Sequence, residues 1–525
     1  MIAPSSAAAR RRASASAALA ALALAALWGA GRLHAPLLEI RRERQLDQAD
    51  PLENTPPLVA FTTVAIGGFR GLAVDALWVR LQTLQEQGRY FELVQLADWI
   101  TKLQPRFDAV WGYQAWNLAY NVSAMFDRPE DRWRWVRHGL TLLRDRGLAY
   151  NPGSAHLHFE LSWIFFHKIG QDLDDAHDFY KLEWAREMED ALGGPTPDWS
   201  ALAAAPPSRE AFRRDPALAA FVDRLEREGV DPWSRRWLRA GESEALPDWA
   251  RGGPEAEAWR NGLRAECLRA DYRLDLPVLL EAERRFGPFD WRLPPAHAVY
   301  WALRGTPLAR EDVRRRALTR RALQASAEGL FQGRVAGFAP REGRLLLARN
   351  LEAMPNVLRA YEDAVRSEKG DELFAEGCRR LLVDAVMFSY TSGDPAAAAA
   401  YFERLRAQDP EGLAGAEMEG FVAGVYAGYV ARGGPFDPAA TVDRALYESE
   451  FWGAMGDERQ AAGYAQLAEL CHRRPVGPEP DAAPPPLPPI ETLRAAAAAR
   501  ARADAAKYRP GAAVREVLPT PPPPA

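Results

Sequence analysis

The sequence predicts an all-α fold of antiparallel helical hairpins stacked into a solenoid, preceded by an N-terminal transmembrane or signal helix. Three observations predict it. Gly88 and Pro105 lie 17 residues apart with Tyr90 just after the glycine, and the same interval returns at Gly393 and Pro410, enclosing Ala398 and Phe402. A glycine that ends one helix, a small residue that lets the next cross closely, an aromatic that fills the gap and a closing proline are the punctuation of a repeated hairpin. Apolar residues recur at helical spacing around these marks. Finally, an uncharged Ala/Leu-rich stretch, residues 13–31, follows Arg10, Arg11 and Arg12.

That stretch has 19 residues, and at 1.5 Å per residue it nearly spans a bilayer core of about 30 Å. It reads as an uncleaved anchor, with Gly29, Ala30 and Gly31 offering a peptidase the small residues of a signal sequence. The arginine triplet favours a cytoplasmic N-terminus and an exported body. The expected location is therefore a single-pass inner-membrane protein with a periplasmic body, or a secreted one if residues 1–31 are removed. Residues 32–57 read as a polar linker ending in Pro56 and Pro57. Residues 58–79 are broken by Gly67, Gly68, Arg70, Gly71 and Asp75, and read as the start of a soluble helix pair, since charges at a helix centre cost several kcal/mol in hydrocarbon.

A first block of hairpins is expected over 58–193. Leu77, Leu81 and Leu84 face Leu93, Ala97 and Ile100; then Trp111, Ala115, Leu118 and Val122 face Trp133, Val136, Leu140 and Leu143; a third pair covers 155–169 and 173–192. Residues 194–262 are rich in Pro, Gly and Trp and read as an irregular insertion held by tryptophan contacts. A helical middle region follows over 263–375, with helices near 310–331 and 347–368. A second block of hairpins covers 376–475. Residues 476–525 are Pro- and Ala-rich, a mostly disordered tail around one Ala/Arg helix candidate.

These marks resemble tetratricopeptide-repeat proteins. Gly393, Ala398, Phe402 and Pro410 keep the family spacing, whereas Leu382 and Val386 stand where the family has Trp and Gly. Residues 69–107 resemble the opening repeat of uncharacterised bacterial membrane-anchored members. The resemblance implies a concave groove, lined by the first helix of each hairpin, that takes peptides or helices of partner proteins. Opposite the apolar stripe of the Trp111 helix, Tyr113, Asn117, Tyr120, Asn121 and Ala124 share a face by helical spacing. The predicted partner-binding residues are Tyr113, Asn117 and Asn121, with Trp116 as a hydrophobic anchor, because amides both donate to and accept from an extended backbone. Asn117 and Asn121 are equally suited to bridging neighbouring hairpins. Arg132, Arg134 and Arg137 add charge nearby or form a solvated face.

No catalytic residue, metal or cofactor is expected: no nucleophile motif occurs, Gly67, Gly68 and Gly71 lack the Lys-Ser/Thr of a phosphate loop, and Glu160, Glu183 and Glu187 read as ordinary helix-surface residues. A formal net charge of -5, from 66 basic and 71 acidic residues, argues against nucleic acid. Cys267, Cys378 and Cys471 stand too far apart for a zinc or disulfide framework. The alternative is a metal-dependent envelope enzyme using the His/Asp-rich residues 156–178, where His156, His158, His167 and His177 lie among Asp172, Asp174, Asp175 and Asp178.

Overall fold

The computed structural model describes residue 32 and residues 69–206, 208–239, 241–477 and 486–510. The predicted anchor, most of the linker, Gly67, Gly68 and the outer tail lie outside these. Among the described residues no helix is long and apolar enough to cross a membrane. The chain divides into two compact units: among the described residues the smaller holds 32, 69–79 and 99–106, and the larger holds 80–98 and those from 107 onward.

The molecule is mostly helical. α1 (Phe69–Glu86) and α2 (Tyr90–Leu103) are joined at Gly88, whose φ of +68° suits a residue without Cβ. In the larger unit, α3 (Asp108–Trp116) runs on through a π-helical turn, Asn117–Val122, and packs against α4 (Pro129–Thr141). A Cβ on Gly139 would lie 2.7 Å from the Ala115 carbonyl oxygen, so this glycine lets the two helices cross. α5 (Ala155–Trp163), again extended by a π-helical turn at Ile164–Ile169, pairs with α6 (His177–Leu192). The Pro/Gly/Trp-rich insertion forms short helices, of which α7 (Pro216–Arg227) is pinned by Phe221 against the edges of Trp249 and Trp259. Trp259 also donates to the Pro232 carbonyl at 2.9 Å.

α8 (Pro254–Ala270) and α9 (Leu276–Phe286) lead into α10 (Pro294–Gly305), which packs on α5 and on α11 (Asp312–Phe331). The middle region is not wholly helical. β1 (Arg334–Ala339) and β2 (Arg344–Ala348) form an antiparallel hairpin ahead of α12 (Met354–Ser367), so the helix expected from residue 347 begins later. The second block follows as α13 (Glu372–Thr391) on α14 (Pro395–Gln408), then α15 (Met418–Ala431), then α16 (Pro438–Ala454) on α17 (Glu458–Arg473). Asp-Pro pairs start three helices: Asp215, Asp394 and Asp437 accept from backbone N–H groups of the first turn while the proline fills the first helical position.

The Ala/Arg helix candidate of the tail forms α18 (Ile490–Ala505), whose Ala497, Ala501 and Ala505 are buried at four-residue spacing, and the helix packs along α16. Tyr447 donates to Asp504 at 2.7 Å, and Arg500 pairs with Asp443. Beyond it β3 (Arg509–Pro510) pairs with β1, giving the sheet order β2-β1-β3. One apolar core in the larger unit runs from Trp111 to Ala505.

A buried ionic cluster crosses this core. Arg292 grips Asp290 with two nitrogens at 2.8 Å and reaches Glu189 of α6 at 2.7 Å, all three side chains being at most 7% exposed. Asp290 also accepts from the Val335 N–H of β1 at 3.2 Å.

Candidate functional site

Three helical faces meet where α3, α5 and α11 approach. On α3 and its π-helical continuation the spacing of Gly112, Trp116 and Tyr120 puts them on one side; His156, Glu160, Trp163 and His167 do so on α5, and Arg314 and Arg321 on α11. Gly112 makes the approach possible, since a Cβ there would lie 2.9 Å from His156 Nε2 and 3.3 Å from Glu160 Cγ. Trp116 stacks on Tyr120 with ring centres 5.6 Å apart. The Tyr120 hydroxyl lies 3.2 Å from His167 Nδ1, and His167 stacks on Trp163 at 4.5 Å. These aromatic side chains are all half-buried, and they form a continuous run across two successive hairpins.

Behind that run lies Arg321. Its side chain is buried, with the guanidinium 4.4 Å from the ring centres of Trp163 and Phe166 and 5.6 Å from that of Phe159. Burial lowers its pKa to about 10, although Tyr120 and Glu160 favour the charged form. Glu160 is half-buried rather than the surface residue its spacing suggested, and burial pushes its carboxyl up to about 7 despite Arg314 and Arg321. His156 accepts from Arg314 at 3.2 Å. Its pKa is lowered, chiefly by burial, with Asp108 opposing and Arg314 adding to the effect. His167 is likewise held low by burial, then by Arg321 and Lys168.

The four predicted residues separate. Tyr113 is half-buried and donates to Gln85 Oε1 at 2.5 Å; Trp116 belongs to the aromatic run. Asn117 does not face a groove. It is fully buried and accepts from Asn121 Nδ2 at 2.9 Å, while its own Nδ2 is buried without a hydrogen-bond partner. The reason is local: the chain leaves α-helical phase at residue 117, so a face assigned with 3.6 residues per turn slips there. Asn121 is half-buried at the edge. Arg132 and Arg137 are engaged with Asp174 and Glu187, whereas Arg134 is a solvated residue beside Asp131. Glu187 also accepts from Tyr272 at 3.3 Å and is raised by burial against Arg137, so it is not a free surface carboxylate.

The histidines of 156–178 point to different surroundings. His158 packs on Trp301, His167 joins the aromatic run, and His177 sits 3.2 Å from Asp172 beside Lys181. Among the described residues no group of three His, Cys, Asp or Glu could hold a metal ion. Asp174 instead collects donors: the cations Lys168 at 2.6 Å and Arg132 at 3.0 Å, and the Ala176 N–H at 2.9 Å. Burial alone would raise its pKa, but these partners hold it down at about 2. A carboxylate with a depressed folded pKa stabilises above its unfolded value near 4 and loses that contribution as pH falls toward 2. Asp174→Asn is therefore expected to cost roughly 2 kcal/mol in urea unfolding at pH 7, with the gap from the parent closing between about pH 4 and pH 2. A gap independent of pH would show that the charge is not what matters.

Sequence reading missed Trp163, Glu160 and Arg321. The first two lie on a helix read mainly for its histidines, and Arg321 sits in an Arg-rich helix that looks solvated throughout. Only the fold brings it to α5, about 160 residues away in sequence. No known family model matches this sequence, and comparison with curated proteins and with solved structures likewise gives no match.

Proposed function

We propose that this chain is a non-catalytic, tetratricopeptide-like scaffold of the bacterial cell envelope, membrane-anchored or exported through residues 1–31, that grips an extended segment of a partner protein. The groove is the side of α3 and α5 that carries Trp116, Tyr120, Trp163 and His167. The observation that carries this reading is the half-buried aromatic run itself. Aromatic side chains offer large contact area at low cost in rotamer entropy, and a line of them across two consecutive hairpins suits a ligand that lies along the array. Tyr113 and Asn121 would supply polar contacts at its edge, and Asn117 would hold Asn121 in place.

A photo-crosslinking amino acid at position 163 of the full chain in its native membrane tests this. A discrete crosslinked partner is expected, lost when Trp116 and Tyr120 are both changed to alanine and kept when Arg134 is. Losing two such anchors costs roughly 2–4 kcal/mol of binding, 30-fold or more. A crosslink that survives the double change, or none at all, overturns the groove.

A further inference from the structure

Arg321 is a buried arginine of this site to which no carboxylate bonds among the described residues. Its side chain is 7% exposed, its Nε is buried without a hydrogen-bond partner, and its guanidinium makes no hydrogen bond or ion pair among the described residues. Leaving such a group unsatisfied costs more than the ordinary net value of a hydrogen bond, so a partner that arrives from outside is strongly favoured. Its neighbours are aromatic: the ring centres of Phe159, Trp163 and Phe166 lie 5.6, 4.4 and 4.4 Å from the guanidinium carbon.

The charge count on these faces points the same way. Arg314 and Arg321 bring two guanidiniums, and Arg314 is spent on His156, a neutral acceptor when its ring is unprotonated. Glu160 is the carboxylate that senses both arginines, yet it bonds to neither, and its near neighbour is His156 Nδ1 at 3.7 Å. Tyr120 and His167 hydrogen-bond each other, and Asp108 and Lys168 also act on the two histidines. Lys168 is paired with Asp174 and Asp108 accepts from Ser154, whereas Arg321 has no bonded partner among the described residues. A planar oxyanion suits it, because a carboxylate can take two parallel N–H donors from one guanidinium.

We propose that Arg321 is the receptor for a carboxylate, an Asp or Glu side chain or a C-terminus, carried by the segment that occupies the aromatic run. This rests on the partner-groove reading above and specifies the chemistry of what enters it. The carboxylate would sit against the Arg321 guanidinium, with the flanking residues of the segment on Tyr120 and Trp116. Glu160 would compete for the same guanidinium when ionised and yield it when protonated.

The test is selection of a displayed library of randomised decapeptides on the immobilised full chain, repeated with Arg321→Met and with Glu160→Gln. Methionine packs against the aromatic rings without a charge, so the variant is expected to unfold no more easily than the parent, which separates binding from folding. The parent should enrich peptides with a carboxylate at one fixed position, and these should bind Arg321→Met about tenfold or more weakly and Glu160→Gln at least as tightly as the parent. Replacing that carboxylate by its amide should give a similar loss on the parent and almost none on Arg321→Met. Enriched peptides without a shared carboxylate, or with equal affinity for Arg321→Met, overturn the receptor role and leave the groove standing. Failure to enrich any peptide overturns the groove, and the receptor role with it. If Arg321→Met fails to fold, the guanidinium is structural and the proposal falls.

Discussion

Replacing Arg292 by methionine is expected to destabilise the fold by about 3–5 kcal/mol, because it takes the guanidinium away from two buried carboxylates. Asp290 would lose both of its guanidinium contacts and Glu189 the one at 2.7 Å. The damage would spread to β1, since the same Asp290 accepts from the Val335 N–H. Urea unfolding monitored by far-UV circular dichroism measures the loss. Neutralising the whole cluster, as Arg292→Met with Glu189→Gln and Asp290→Asn, should recover a good part of it, because the cost lies in the uncompensated charges. A single variant within about 0.5 kcal/mol of the parent would mean that the cluster is solvated in solution.

Gly463→Ala should have a comparable effect for an entirely steric reason. A Cβ on Gly463 would fall 2.4 Å from the Thr391 carbonyl oxygen and 2.5 Å from the Gly393 nitrogen, both backbone atoms of the turn between α13 and α14. Neither can swing aside. Thr391 also accepts from Arg349, which reaches on to Tyr464 of α17, so displacing the turn disturbs the contact between the two hairpins. Overpacking of this kind typically costs 1–3 kcal/mol, and with two backbone clashes about 3 kcal/mol is expected. Gly424→Ala is the control: that glycine lies inside α15 with nothing within 4 Å of a Cβ, and the change should stabilise by about 0.5–1 kcal/mol. Equal thermal shifts for the two variants would remove the steric argument.

How far the sequence discloses the structure depends on whether a feature is local. Turn glycines are local: Gly88, Gly393 and Gly456 all take positive φ where their spacing to the following helix announces a hairpin. The Asp-Pro helix starts are legible for the same reason. The β-hairpin is not. Residues 347 and 348 read as the opening of a helix, and what makes them the end of a strand is pairing with β1. Nor is the docking of α18, whose contact face is a stripe of alanines that carries almost no hydropathy signal. At the site the aromatic and amide residues of α3 are readable as a face until residue 117, where the π-helical turn changes the phase. Arg321 is unreadable because its isolation is a property of its surroundings: a charge in an Arg-rich helix looks solvated until the fold presses aromatic rings around it.

The pairing of β3 with β1 also sets a timetable. Phe338 meets Arg509 in the sheet, so one side of β1 has no strand beside it until roughly 170 further residues have been made. At 5–20 residues per second that interval lasts roughly ten to thirty seconds on a translating ribosome. During it the nascent chain presents an open strand edge, of the kind on which chaperones and neighbouring chains act. Residues 509 and 510 close that edge, so nascent chains stalled before residue 509 should differ from released ones in protease resistance around residues 334–348.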